Sequence, residues 1–178
     1  MKIKIFILVL SITMFSCGNE LSEKEKLEYT KKGKEIAQAS FKKLSSQLMG
    51  QMQEGGPAQA IPFCKEEAVN ILAQLSEEHN ATILRSSDQL RSCKIEPTIR
   101  ELDIINNYKK AVSENKDINP IVEIDEAGNK HFYAPIRVQS QCLVCHGKVN
   151  ETMSVKTDSI IKSIYPFDVA TGYSEGDV

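Results

Sequence analysis

The stretch Cys142-Leu143-Val144-Cys145-His146, followed by Gly147, decides how the rest of the chain is arranged. Cys-x-x-Cys-His is the attachment signature of c-type haem. Two thiols at this spacing reach the two vinyl groups on one edge of a porphyrin, and the next side chain brings an imidazole to the iron. We therefore expect Cys142 and Cys145 to hold one covalent haem c, with His146 as an iron ligand.

Two other uses of a Cys-x-x-Cys pair fit the surrounding sequence less well. A structural zinc site needs two further Cys or His ligands at short spacing, and Cys64 and Cys93 do not provide a second such pair. A thioredoxin-like redox pair opens a helix within a βαβ pattern, and no such pattern precedes Cys142. Haem attachment remains the best interpretation of the motif.

The composition indicates one globular domain that does not bind nucleic acid. The chain has 178 residues, of which 41% are hydrophobic, which is ordinary for a single packed core. Its formal net charge is −2, and it has no basic tract that would neutralise phosphates.

Residues 1–16 have the features of an export signal. After a short basic start, the apolar run of residues 5–15 is too short to span a bilayer, which needs ~20 residues. Ser16-Cys17-Gly18 resembles a bacterial lipobox, in which Cys17 would receive the lipid. We expect a membrane-anchored lipoprotein facing the periplasm or the cell exterior, with a tether over 17–26; an ordinary cleaved secretory signal is the alternative.

Apolar periodicity predicts four helices. One inward face carries Cys64 together with Ala68, Ile71 and Leu75, at spacings of four, three and four residues. Pro62 falls near the start of the predicted helix Ala58 to Glu78, where a missing N–H is tolerated, or it kinks the first turn. The predicted helices are Leu27 to Met52, Ala58 to Glu78, Pro97 to about Val112 with Ile99 on its buried side, and Asn150 to Ile164.

The predicted β structure is small. Ala81 to Arg85 has the alternation of a short strand, and the strands Ile121–Asp125 and His131–Ile136 form a hairpin around a Gly-containing turn. The hairpin leads directly into the haem motif. We expect residues 27–178 to form an α+β domain in which the N-terminal helices pack with a small antiparallel sheet.

Four further motifs, taken with the haem motif, resemble a known family. This family comprises single-haem c-type proteins with a PAS-like α+β domain, found as exported cytochromes and as sensor modules of bacterial signalling receptors. The resemblance covers most of the chain after residue 17. The motifs are Ala60-Ile61-Pro62-Phe63-Cys64, Arg85-Ser86-Ser87 with Arg91, Phe132-Tyr133-Ala134-Pro135-Ile136, and Tyr165-Pro166-Phe167-Asp168-Val169-Ala170-Thr171-Gly172-Tyr173.

The resemblance implies a PAS-like fold with haem c held between a helix and the C-terminal loop. It also implies that the thiolate of Cys64 is the second iron ligand, which would stabilise Fe(III) and lower the reduction potential. A disulfide between Cys64 and Cys93 is the alternative. The other candidates for the second position are Met49, Met52, Met153, His79, His131 or an open coordination site.

The sequence allows two roles for Arg85 and Arg91. Arg85 and Arg91 would pair with the haem propionates, since a guanidinium binds carboxylates in a bidentate way, or they are plain surface charges. Tyr133 and Pro135 would wall the haem or form hairpin core, and Asp168 and Tyr173 would only shape the C-terminal turn.

The sequence departs from the family pattern at two places. Ser92-Cys93 stands where the family usually has Asn after the second Arg. The family usually continues into a last strand where this sequence reaches Val178, so we expect one edge strand to be missing or replaced.

The expected function is a redox or diatomic-gas responsive haem protein outside the cytoplasm. No output domain follows in the sequence, so the signal would pass to a separate redox or signalling protein. A low-potential one-electron carrier is the alternative. Enzyme activity is not expected, because general acid–base catalysis at an open iron needs a positioned side chain and neither His79 nor His131 has a supporting pattern.

Overall fold

The computed structural model describes residues 20–92 and 96–178. The predicted signal peptide, the predicted lipidation site Cys17 and Cys93 lie outside the described residues. The described chain contains five α-helices and one two-stranded antiparallel sheet, which confirms the α+β class; the PAS-like arrangement stays a prediction. The elements in chain order are α1 Glu23–Gly55, α2 Pro57–His79, α3 Ile99–Ser113, β1 Ile121–Ile124, β2 Lys130–Tyr133, a 3₁₀ turn Ser140–Cys142, α4 Leu143–His146 and α5 Val155–Ile164.

The helices α1 and α2 pack against each other as a helical hairpin. Gly56, with φ of 62°, lies between them and adopts the left-handed backbone that favours glycine. Pro57 opens α2 at a position where its missing N–H costs nothing. The predicted helices at 27–52 and 58–78 are thus confirmed, with bounds shifted by a few residues.

Side-chain caps explain two helix starts that differ from the prediction. Ser22 accepts from the N–H of Glu25, and the Glu25 carboxylate accepts from the N–H of Ser22, so α1 begins within the segment predicted as a tether. Thr98 and Glu101 form the same reciprocal cap, which leaves Pro97 outside α3. Ile99, predicted to be buried, is 83% exposed at this helix end.

Two other predictions about local structure were wrong. Residues 81–85 are not a strand: in the described chain they have no ladder partner, and the N–H of Ile83 donates to the Ser76 hydroxyl at 3.0 Å. The helix predicted from Asn150 begins only at Val155, because Asn150 has φ of 66° and Ser154 caps the helix by accepting from the N–H of Thr157.

The predicted hairpin is confirmed, although its strands are shorter. Ile121 pairs with Tyr133 and Ile124 with Lys130. The hairpin packs on α1 at Gly33, where an added Cβ would overlap the Phe132 ring. The absence of a side chain at Gly33 is therefore what lets the hairpin lie close to α1.

The core that positions the haem motif lies between α2 and α5. Ile61, Met153 and Ile161 are at most 3% exposed and form one cluster, against which Cys145 and Tyr165 pack. Burial of each such side chain stabilises the fold by about 1.5–3 kcal/mol. The motif is thus joined to the packed core through Cys145. None of the helices within residues 20–92 and 96–178 has the length and apolar character needed to cross a membrane.

Candidate haem site

The motif lies on two consecutive short turns. The 3₁₀ turn ends at Cys142, and α4 carries Cys145 and His146 before it ends at Gly147. The N–H of Gly147 donates to the Leu143 carbonyl at 2.9 Å, which closes the turn. Cys142 and Cys145 are both free thiols, half-buried, as attachment to a cofactor requires.

The ring of His146 is oriented by a backbone carbonyl. Its Nδ1 lies 2.9 Å from the Ala170 oxygen and 3.3 Å from Nη2 of Arg91. A carbonyl oxygen only accepts, and the contact with Ala170 is the shorter one, so we place the hydrogen on Nδ1. The neutral ring then has an unprotonated Nε2. A second hydrogen bond of this kind, to a carbonyl or carboxylate, is the usual companion of a metal-binding histidine.

The surroundings of His146 favour its neutral form. Burial, and next the positive charge of Arg91, lower the pKa of His146 to about 4, although the bond to Ala170 opposes the shift. The imidazole is therefore neutral at physiological pH, which is the form that binds a metal.

Arg91 is the residue that joins the motif to the C-terminal loop. Its Nη2 donates to the carbonyls of Cys145 at 2.6 Å and of Ala170 at 3.1 Å. Its Nε lies 3.4 Å from Oδ1 of Asp168, whose side chain is 1% exposed, and among the described residues this buried Nε has no hydrogen-bond partner. The predicted propionate role of Arg91 stays a prediction, while these backbone contacts were not predicted.

The C-terminal loop pairs with the motif through its backbone. The N–H of Gly172 donates to the Gly147 carbonyl, and the N–H of Tyr173 to that of His146, both at 3.0 Å. The Tyr173 ring lies edge-on to the His146 ring, with 6.2 Å between their centroids. Tyr173, predicted only to shape a turn, therefore contacts the iron-binding candidate directly.

Cys64 lies in the same region as the motif. It is half-buried on α2, three residues after the core residue Ile61, and it forms no disulfide with another described cysteine. Burial raises the pKa of Cys64, while the charges of Arg91 and Arg85 oppose the rise. A negative charge on Cys64 in turn raises the pKa of Cys145, for which burial is the larger cause, so the two sulfurs influence each other.

The structure places the other predicted candidates in different surroundings. Arg85 is exposed, and its charge acts on Cys64 and His146 from a distance. His131 lies on the hairpin, where it pairs with Asp125 at 3.0 Å and stacks on Tyr133. Met153 is 2% exposed within the core cluster, against which Cys145 also packs.

The donor chemistry of the site fits a c-type haem. It offers two thiols at the attachment spacing and an imidazole whose Nδ1 is occupied and whose Nε2 is not. Within the described chain, no group of three or more His, Cys, Asp or Glu side chains is arranged to hold a bare metal ion. A haem iron does not need such a group, because the porphyrin itself supplies four nitrogens.

The comparison with family models gives one result. A family model described as Tll0287-like matches residues 19–178. The chain belongs to the Tll0287-like family. Membership of the Tll0287-like family suggests a haem-binding domain, in agreement with the motif. No curated protein and no solved structure gives a significant match.

Proposed function

We propose that this Tll0287-like protein binds one covalent haem c through Cys142 and Cys145 and responds outside the cytoplasm to redox state or a diatomic gas. The observation that carries the proposal is the hydrogen bond from His146 Nδ1 to the Ala170 carbonyl, which leaves Nε2 as the nitrogen available to iron. The bound haem would supply one-electron exchange between Fe(II) and Fe(III). The protein's own residues would set which oxidation state is favoured.

Cys64 is the proposed second ligand. It lies in the region of the motif; burial raises its pKa, and the positive charges of Arg91 and Arg85 oppose that rise. A thiolate binds Fe(III) more strongly than Fe(II), so release of Cys64 on reduction would give the protein two states. The PAS-like arrangement, with haem between α2 and the C-terminal loop, belongs to this same proposal.

A one-electron carrier is the second candidate. Its support is the position of Cys142, which is half-buried and follows exposed Ser140 and Gln141 at the surface. A cofactor edge attached there would be open to a redox partner. A carrier would keep Cys64 bound in both oxidation states, whereas a sensor would lose it in one. We propose no enzymatic activity for either candidate.

We also propose export and lipid anchoring at Cys17, with a redox or signalling protein as the partner. The support is the sequence of residues 1–18. Labelling with a radioactive fatty acid tests the anchor, since Cys17→Ser should abolish incorporation. Incorporation that persists in Cys17→Ser would contradict it.

Spectra of the wild-type protein and of Cys64→Ala test the function. The wild-type protein, produced with a haem maturation system, should gain the mass of one haem and show a Soret band. Cys64→Ala should change the absorption and EPR spectra of the oxidised form, and the wild-type reduced form should resemble the variant if the protein is a sensor. Wild-type reduced spectra that differ from those of the variant favour the carrier. Unchanged oxidised spectra in Cys64→Ala would exclude the thiolate.

A further inference from the structure

The carbonyl of Ala170 serves two donors. His146 Nδ1 donates to it at 2.9 Å, and Nη2 of Arg91 donates to the same oxygen at 3.1 Å. The same Nη2 donates to the carbonyl of Cys145 at 2.6 Å. Arg91 therefore connects the residue before His146 with the atom that orients the His146 ring.

The Ala170 peptide is held on its other side by a carboxylate. Oδ1 of Asp168 accepts from the N–H of Ala170 at 3.1 Å and lies 3.4 Å from Nε of Arg91. The side chains of Arg91 and Asp168 are 16% and 1% exposed. These contacts hold the Ala170 peptide in place. Breaking the buried pair would leave an unpaired charge in the interior, which is strongly destabilising.

We infer that Arg91 is a positioning residue that fixes the ring plane of His146 and weakens its electron donation to the iron by sharing the Ala170 carbonyl. The inference rests on the proposed function, in which His146 binds haem iron. A carboxylate or an undisturbed carbonyl on Nδ1 raises the basicity of a histidine ligand. A guanidinium on that carbonyl draws electron density away from the N–H bond and has the opposite effect. Arg91 thus raises the reduction potential, against the effect of a thiolate ligand.

Arg91→Gln in the haem-loaded protein tests the inference. Its midpoint potential should fall below that of the wild type, and the haem-methyl NMR shifts of the oxidised protein should redistribute, because their pattern follows the plane of the axial imidazole. Arg100→Gln is the matched control: it removes the same charge from an exposed pair with Glu123 on α3 and β1. This control should leave the methyl pattern as in the wild type.

Two further variants separate the positioning role of Arg91 from the effect of its charge and from its effect on folding. Arg91→Lys keeps the positive charge but loses the planar fork of the guanidinium, so both its methyl pattern and its potential should move towards those of Arg91→Gln; a potential and methyl pattern equal to those of the wild type would show that charge alone is responsible and would overturn the inference. In Arg91→Gln/Asp168→Asn no unpaired carboxylate remains buried, so this protein should fold even where Arg91→Gln does not. It should retain the lower potential, because the Ala170 carbonyl still loses its second donor.

The outcomes distinguish this inference from the proposed function. A wild-type protein without the haem mass would overturn the proposed function and this inference with it. A haem-loaded double variant whose potential and methyl pattern equal those of Arg100→Gln would overturn this inference alone.

Discussion

Gly147 shows how closely the motif is packed at the scale of single residues. A Cβ at this position would overlap the Thr152 hydroxyl and lie 2.6 Å from the Leu143 carbonyl oxygen. That carbonyl belongs to the turn which carries Cys145 and His146, so it cannot move without displacing them. Packing therefore requires glycine after the histidine.

We predict that Gly147→Ala destabilises the protein by about 1–3 kcal/mol, the usual result of overpacking, and lowers the yield of haem attachment. Urea unfolding and the ratio of haem to protein measure the two effects. Gly50→Ala is the control, because Gly50 lies within α1 and a Cβ there would meet nothing within 4 Å. It should be neutral or stabilising by about 0.5–1 kcal/mol. Equal behaviour of the two variants would contradict the packing argument.

The sequence predicts the candidate residues whose chemistry is specific and does not reveal contacts that are made through the backbone. Cys142, Cys145 and His146 follow from the attachment signature, and Cys64 followed from the resemblance and its helical face. The contacts of Arg91 with two carbonyls were not predicted, because every residue has a carbonyl and its position depends on the fold. The buried Arg91–Asp168 pair likewise joins segments about 80 residues apart, and no local pattern reveals it.

At the scale of elements, the hairpin depends on the absence of a side chain on α1. In Gly33→Ala the new Cβ would overlap the Phe132 ring, so the hairpin would have to move away. We predict a loss of about 1–3 kcal/mol in the free energy of unfolding and faster hydrogen exchange in β1 and β2. Phe132→Leu should recover part of the loss when combined with Gly33→Ala. No recovery in the double variant would show that the two residues do not act on each other.

An ion pair joins α3 to the same hairpin and makes stability depend on pH. Nε of Arg100 donates to Glu123 at 2.9 Å, and this bond holds the pKa of Glu123 below its ordinary value. A lowered carboxyl pKa stabilises the fold above the unfolded pKa, and the contribution is lost as the pH falls through the folded pKa. We predict that the stability advantage of wild type over Glu123→Gln, at most about 1 kcal/mol at pH 7, shrinks below about pH 4.5. Urea unfolding at pH 7 and pH 3.5 measures it; an advantage that grows in acid would contradict the sign.

Element predictions succeeded where periodicity was long and failed where caps or partners decide. The two long helices and the hairpin were predicted correctly because their apolar patterns extend over many residues or across a turn. Residues 81–85 have the composition of a strand, but a strand also needs a partner with free hydrogen-bonding groups. Helices α3 and α5 begin where they do because the side chains of Thr98 and Ser154 accept hydrogen bonds from backbone N–H groups of the first turn.

At the scale of the whole molecule, the site joins three parts of the chain that are distant in sequence. Cys64 lies on α2, the motif lies on the 3₁₀ turn and α4, and the C-terminal loop contacts the motif through Ala170 and Tyr173. Helix α2 packs on α1, and α1 in turn packs on the β1–β2 hairpin. Displacement of Cys64 on α2 would therefore be felt by α1 as well. Pro62, two residues before Cys64, lacks the N–H that would otherwise bond within α2, so this stretch of the helix has one backbone hydrogen bond fewer.

Hydrogen exchange in both oxidation states would separate a sensor from a carrier. In a sensor, release of Cys64 on reduction should speed exchange over residues 63–68 of α2, with little change in α3. In a carrier, the two oxidation states should exchange alike, because no ligand is lost. Cys64→Ala provides the control: it should exchange as the reduced wild type does in both states. An oxidation-dependent difference that persists in Cys64→Ala would mean that the signal does not pass through this thiol, and the sensing mechanism proposed here would be wrong.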